Sequence, residues 1–184
     1  KLLPQNIPID RKISIIQTAD KTARNFDKRI KQVTSIYRDT IQKVQIATSE
    51  GFIAEDERIY TTAIIQVVAV QDNIIQTGYE PLGGFAGFEL FEKNNIEEIS
   101  LKAAKRAIMM LTAKRAPAGR MPVIISSNAG GTMIHEAIGH GLEADLAQQG
   151  LSVFSEKIGA QVASGLITVI DDSTLAFRRG SFRF

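Results

Sequence analysis

After Pro4 and Pro8 the apolar residues Ile13, Ile16, Ala19, Ala23, Phe26 and Ile30 recur every three or four positions. That period lays them along one stripe of a helix, with Asp10 placed as its N-cap. Lys12, Asp20, Lys21, Arg24, Asp27, Lys28 and Lys31 fill the remaining face, as a solvated helix surface requires. From Val33 to Phe91 the texture changes to β-branched and aromatic residues. It is punctuated by Arg38-Asp39-Thr40, Ser49-Glu50-Gly51 and Gln71-Asp72-Asn73, all rich in turn formers. Strands are predicted from Val33 to Tyr37, Ile41 to Thr48, Arg58 to Val70 and Ile74 to Tyr79. Turns this short make sequential neighbours antiparallel. The run from Pro81 to Phe88, with three glycines and two phenylalanines, breaks the alternation. It reads as a loop with aromatic plugs, or as backbone lying close against a partner or substrate.

A second helix is predicted next. Asn95 serves as N-cap, Glu98 sits where the N3 residue of a capping box belongs, and Lys114-Arg115 lie in the last turn. Ile99, Ala103, Ala107, Ile108, Met110 and Leu111 form a wide apolar face for packing on the sheet, with Met109 and Met110 read as core filling. Ala116-Pro117-Ala118-Gly119 ends this helix and marks a boundary. Beyond it come a short apolar strand from Met121 to Ser126, a small-residue turn through Asn128-Ala129-Gly130-Gly131-Thr132, and a helix from Met133 to about Leu146. A strand from Leu166 to Ile170 follows, then a turn at Asp171-Asp172-Ser173-Thr174. The final residues, Phe177 to Phe184, read as extended strand.

The whole is an α+β pattern: two amphipathic helices flank an antiparallel sheet over residues 1–118, and residues 119–184 begin a second, mixed domain. With 184 residues and 44% hydrophobic content the chain buries a core rather than remaining disordered. A net charge of +2, with basic and acidic residues interleaved, offers no stripe for nucleic acid. No apolar run reaches the roughly 20 residues of a membrane-spanning helix. The absence of cysteine excludes a disulfide framework and suits a cytoplasmic protein. The chain starts at Lys1 rather than Met and stops on a strand-like segment, so a fragment of a longer two-domain protein is expected.

The chemistry concentrates in one stretch. The chain's two histidines, His135 and His140, stand in His135-Glu136-Ala137-Ile138-Gly139-His140. Imidazole nitrogens suit zinc, and an adjacent unligated glutamate can take a proton from a water whose pKa the metal lowers to about 7. The common metalloprotease spacing is H-E-x-x-H, which keeps both histidines on one helical face. Here one residue more intervenes, and five α-helical steps separate the side chains by roughly 140° rather than about 40°. A π-bulge, or a helix that loosens at Gly139, restores a shared face; otherwise the histidines do not share a metal. Glu143, three residues after His140, either orients that ligand by taking its second N–H or is a surface carboxylate near the helix end.

Taken together, Ala116-Pro117-Ala118-Gly119, Ser127-Asn128-Ala129-Gly130-Gly131, the run from His135 to Asp145 with its Gly141-Leu142-Glu143, and Asp171-Asp172 resemble the TldD branch of the TldD/PmbA metallopeptidase family. That resemblance implies a cytoplasmic zinc peptidase that cleaves unstructured peptides. His135 and His140 would be its metal ligands and Glu136 its general base. It also implies a dimer, with itself or with a paralogue lacking the metal motif. The family's third ligand is a cysteine from a later segment, and this chain has none, so that ligand is expected outside the chain. The gyrase-modulator description attached to the family leaves an alternative, a non-catalytic regulatory or partner subunit.

Overall fold

The computed structural model describes residues 2–181. They form two compact units, one comprising the chain up to Arg115 together with the segment from Asp172, the other spanning Ala116–Asp171.

In the first unit, helix α1 (Ile9–Arg24) begins one residue before Asp10, with Pro8 as its N-cap. Asp10 therefore lies in the first turn, where a carboxylate still favours the positive end of the helix dipole. The helix ends at Arg24 rather than continuing to Ile30. Asp27 stops it by accepting the Arg29 N–H at 2.9 Å and gripping the Arg29 guanidinium. Such a local side-chain turn competes with helical hydrogen bonding. Ile30 instead opens a strand.

Three strands follow, β1 (Ile30–Ala47), β2 (Ile53–Gln71) and β3 (Ile74–Gly84), antiparallel in the order β1-β2-β3. The two strands expected on either side of Arg38-Asp39-Thr40 are one. Those residues pair with Thr62, Thr61 and Tyr60, and an unbroken ladder with β2 overrides their turn preference. The other two expected turns are present, with Thr48 and Phe52 closing the first through a 2.9 Å hydrogen bond and Asp72 adopting φ 51° in the second. Strand β3 also continues through Pro81-Leu82-Gly83-Gly84, where a loop was expected. It is an edge strand, so Pro81 can occupy it without breaking a ladder on both sides.

Along β2 the residues Ile59, Thr61, Ala63, Ile65, Val67 and Ala69 are buried in strict alternation. Their face carries helices α1 and α3 (Ile96–Met110), with the short helix α2 (Leu90–Lys93) before the latter. Asn95 caps α3 as expected, its side chain accepting from Glu97 N–H at 2.8 Å. Beyond Ile96 in its first turn, the buried side of α3 is made of small residues, Ser100, Ala103, Ala104 and Ala107. They seat the helix on Gly78 of β3, where a Cβ would overlap Ala103 O. That contact line turns Met109 and Met110 outward, 62% and 37% exposed, so they do not fill the core. Helix α3 ends at Met110 with Leu111 as cap, leaving Lys114 and Arg115 beyond it. The Phe88 ring, 1% exposed, plugs this unit against Tyr37 and Phe91.

The segment from Asp172 begins with Thr174 N–H donating to Asp172 Oδ1 at 2.8 Å, the expected turn. It continues through further turns, with Phe177 at φ 62°, rather than as a strand. Phe182, Arg183 and Phe184, the end of the expected strand, lie outside the described residues.

The second unit has no strand among its described residues. Strands were expected from Met121 to Ser126 and from Leu166 to Ile170. Both stretches are irregular and exposed, Ile124 fully so, because a strand exists only as one side of a hydrogen-bonded ladder and neither has a partner there. Nowhere among the described residues is a helix long and apolar enough to cross a membrane.

Candidate metal centre

Helix α4 (Ser127–Ile134) begins where the sequence predicts a small-residue turn. Ser126 has extended dihedrals and its carbonyl accepts from Gly130 N–H at 2.7 Å, so Ala129, Gly130, Gly131 and Thr132 are wound into helix. At His135 the winding changes. The His140 N–H reaches back five residues to the His135 carbonyl, closing a π-turn over His135–Gly139. A single 3-10 turn (His140–Leu142) follows. Glu143 leaves helical geometry at φ −59°, ψ 126° and caps α5 (Ala144–Gln148). The single helix expected from Met133 to about Leu146 is thus four short pieces. The extra residue of the motif is absorbed by the wider turn, which returns His140 to the side of His135.

The side chains follow from this backbone. The His135 and His140 rings meet edge to face, with centroids 4.4 Å apart and planes at 70°. One donor atom from each of His135, Glu136 and His140 lies within 4.8 Å of the other two. Glu136 Oε2 is 3.8 Å from His140 Nε2, and Glu143 Oε1 is 2.7 Å from His140 Nδ1 on the opposite edge of the ring. The His140 and Glu136 side chains are 51% and 64% exposed. The apolar residues of the motif face elsewhere: Ile138 and Leu142 line a cavity of about 260 Å³ with Val162, Ile167 and Val169.

The turn after His140 is braced by residues to which no sequence motif pointed. Ser152 Oγ donates to the Gly141 carbonyl. The Phe154 ring lies so close over Gly141 that a Cβ there would come within 2.6 Å of it. Gly139 is different, since a Cβ at that position would make only ordinary contact with His135 Nδ1 at 3.7 Å. The distortion at Gly139 is therefore the π-turn itself, not a packing requirement for glycine.

Two imidazoles and a carboxylate on one turn form a donor set suited to a borderline divalent ion, zinc above the hard cations. If Glu136 is kept free as a base, the two imidazoles alone fall short of the three protein ligands of a catalytic zinc.

Gathered on one π-turn, these residues define a candidate divalent-metal site. The profile of the PmbA/TldA metallopeptidase central domain matches residues 2–111, and that of the C-terminal domain of the same family matches residues 118–184. The chain is 38% identical over 184 residues to a metalloprotease of Methanocaldococcus jannaschii, covering all of this chain and 40% of that protein. It is 34% identical over 182 residues to a metalloprotease TldD homologue of Haemophilus influenzae, covering 96% of this chain and 38% of that one. A crystal structure from Bacteroides thetaiotaomicron, of a proposed modulator of DNA gyrase, superposes with a TM-score of 0.73 at 20% identity, over 89% of this chain and 37% of the other. The chain belongs to the PmbA/TldA metallopeptidase family, and it spans about two fifths of the length of these curated relatives.

Proposed function

We propose that this chain carries the catalytic motif of a zinc peptidase. In this reading His135 and His140 hold the ion and a third ligand comes from outside the chain. The observation that carries it is the π-turn, which gathers one donor atom from each of His135, Glu136 and His140 to within 4.8 Å despite their unfavourable spacing. Zinc bound there supplies Lewis acidity to the attacking water and to the scissile carbonyl. The protein's part is proton handling. Glu136, exposed and adjacent to both imidazoles, accepts the proton of the water as its oxygen bonds to the carbonyl carbon. It then delivers that proton to the amine nitrogen as the C–N bond breaks.

An exposed site suits unstructured peptides. An extended peptide adding to a sheet edge by main-chain hydrogen bonds would be accepted whatever its side chains. The reading places the protein in the cytoplasm, as a dimer with itself or with a paralogue lacking the motif. It also places the working boundary near residue 118, ahead of the metal-binding region. The decisive experiment is Glu136→Gln in the intact protein. Peptide hydrolysis is expected to fall by at least about 10²-fold, the lower range for losing a general base, with zinc content unchanged. Undiminished hydrolysis sinks the assignment of Glu136 as the base, and a wild-type protein that hydrolyses no peptide favours a non-catalytic partner role.

A further inference from the structure

We propose that Glu143 is the positioning residue of the histidine pair. It accepts a hydrogen bond from His140 Nδ1–H, holds that imidazole in the Nδ1-protonated tautomer, and leaves Nε2 as the nitrogen presented toward Glu136 and His135.

The geometry assigns the two edges of the ring differently. Nδ1 lies 2.7 Å from Glu143 Oε1, within hydrogen-bond distance, whereas Nε2 lies 3.8 Å from Glu136 Oε2. A carboxylate only accepts, and a neutral imidazole has one N–H to give. The proton therefore sits on Nδ1, and the lone pair of Nε2 is directed at the space between His135 and Glu136. A carboxylate behind a ligating histidine fixes its tautomer and ring orientation and raises the basicity of the free nitrogen.

Backbone structure holds Glu143 in that place. The 3-10 turn His140–Leu142 ends in the Glu143 N–H donating to the His140 carbonyl at 3.4 Å. On its other side, the Glu143 carbonyl accepts from Ala147 N–H at 2.9 Å as the cap of α5. Between these points Gly141 is pinned by Ser152 and Phe154. The carboxylate is thus carried on a segment fastened at three points. It folds back over the residue three positions earlier because the chain leaves helical geometry at Glu143 itself. Its consequence for metal affinity rests on the zinc reading above; the tautomer is a property of the chain alone.

The test uses the intact protein, histidine-labelled with ¹⁵N, as wild type, Glu143→Gln and Glu143→Leu. In the metal-free state, the imidazole ¹⁵N pattern of His140 is expected to show Nδ1–H in the wild type. It should remain so in Glu143→Gln, whose amide oxygen still accepts, and shift toward Nε2–H in Glu143→Leu. Chelator competition is expected to show zinc affinity lower by about 10–100-fold in Glu143→Leu, with a smaller loss in Glu143→Gln. Matching unfolding midpoints for the variants exclude misfolding as the cause. Nε2–H in the wild type, or unchanged affinity in Glu143→Leu, overturns the proposal. His135→Ala separates the two readings. If it binds zinc as tightly as the wild type, the metal assignment fails, and the tautomer measured without metal still decides for or against Glu143.

Discussion

At Gly141 a single hydrogen atom in place of a side chain determines whether the loop beyond the motif can close. An added Cβ would stand 2.6 and 2.7 Å from two carbons of the Phe154 ring, so the ring or the turn must shift to admit it. Gly141→Ala is therefore expected to weaken zinc binding in the intact protein by displacing Glu143 from His140, and Phe154→Ala combined with it to recover part of that loss. Isothermal titration with zinc measures both; equal affinity in wild type and Gly141→Ala would show that the brace does not matter. Asp27 illustrates a different control at the same scale. Hydrogen bonds from the Arg29 side chain and from its backbone N–H draw the Asp27 carboxyl down to about 2. Its unfolded value is near 3.9. A folded pKa below the unfolded one stabilises above about pH 4 and loses that contribution as pH falls through about 2. Titration of the Asp27 carboxylate by NMR should give a midpoint near 2, and Arg29→Ala should return it toward the ordinary range.

Elements add what single residues do not hold, and the π-turn is the clearest case. In an α-helix, positions four apart lie about 40° from each other and positions six apart about 120°. Deleting Ala137 converts the motif to the ordinary H-E-x-x-H spacing and is expected to keep zinc binding with the turn regularised to α-helix. Inserting an alanine after Ile138 moves the histidines six apart and is expected to abolish it. Zinc content and circular dichroism of the intact variants check both outcomes. The sequence made the problem legible, because a five-residue step between ligands cannot be reconciled with a straight helix, and it offered a π-turn as one remedy. It did not reveal where helix would begin. Asn128-Ala129-Gly130-Gly131-Thr132 has turn composition yet winds into α4. Arg38-Asp39-Thr40 likewise has turn composition but is held extended by β2. In both places hydrogen bonds outweigh local preferences worth at most about 1 kcal/mol per residue. The brace from Ser152 and Phe154 was not legible at all, since two ordinary residues acquire meaning only when the chain returns to Gly141. Gly78 shows the same dependence in the sheet. Gly78→Ala forces a Cβ onto Ala103 O and within 2.7 Å of Ala107 N, both backbone atoms of α3. An overpacking loss of about 1–3 kcal/mol or more is expected by urea unfolding.

At the scale of the whole molecule the two units are built on different terms. The first has a continuous core running from Ala19 and Ala23 through Ile65 and Val67 to Ala103, Ala107 and Leu111. In the second, from Ala116 to Asp171, no described residue is buried, and Ile124, Ile158, Leu166 and Ile170 present 80% or more of their surface. Burial of apolar area is the main term that offsets chain entropy, so local hydrogen bonds alone leave the second unit with little cooperative stability of its own. The chain spans about two fifths of the length of the curated relatives it matches. Hydrogen exchange on the 184-residue chain should therefore show two regimes. Amides of β2 and α3 should be protected to the level of global unfolding, while those from Ala116 to Asp171 should exchange rapidly. In the intact protein the π-turn amide of His140 should become protected together with its neighbours, and zinc should slow its exchange further, since a ligand that binds only the folded site stabilises it by mass action. Equal protection of the His140 amide in the short chain and in the intact protein would mean that the motif turn is self-sufficient, and that the geometry of the metal centre owes nothing to the rest of the molecule.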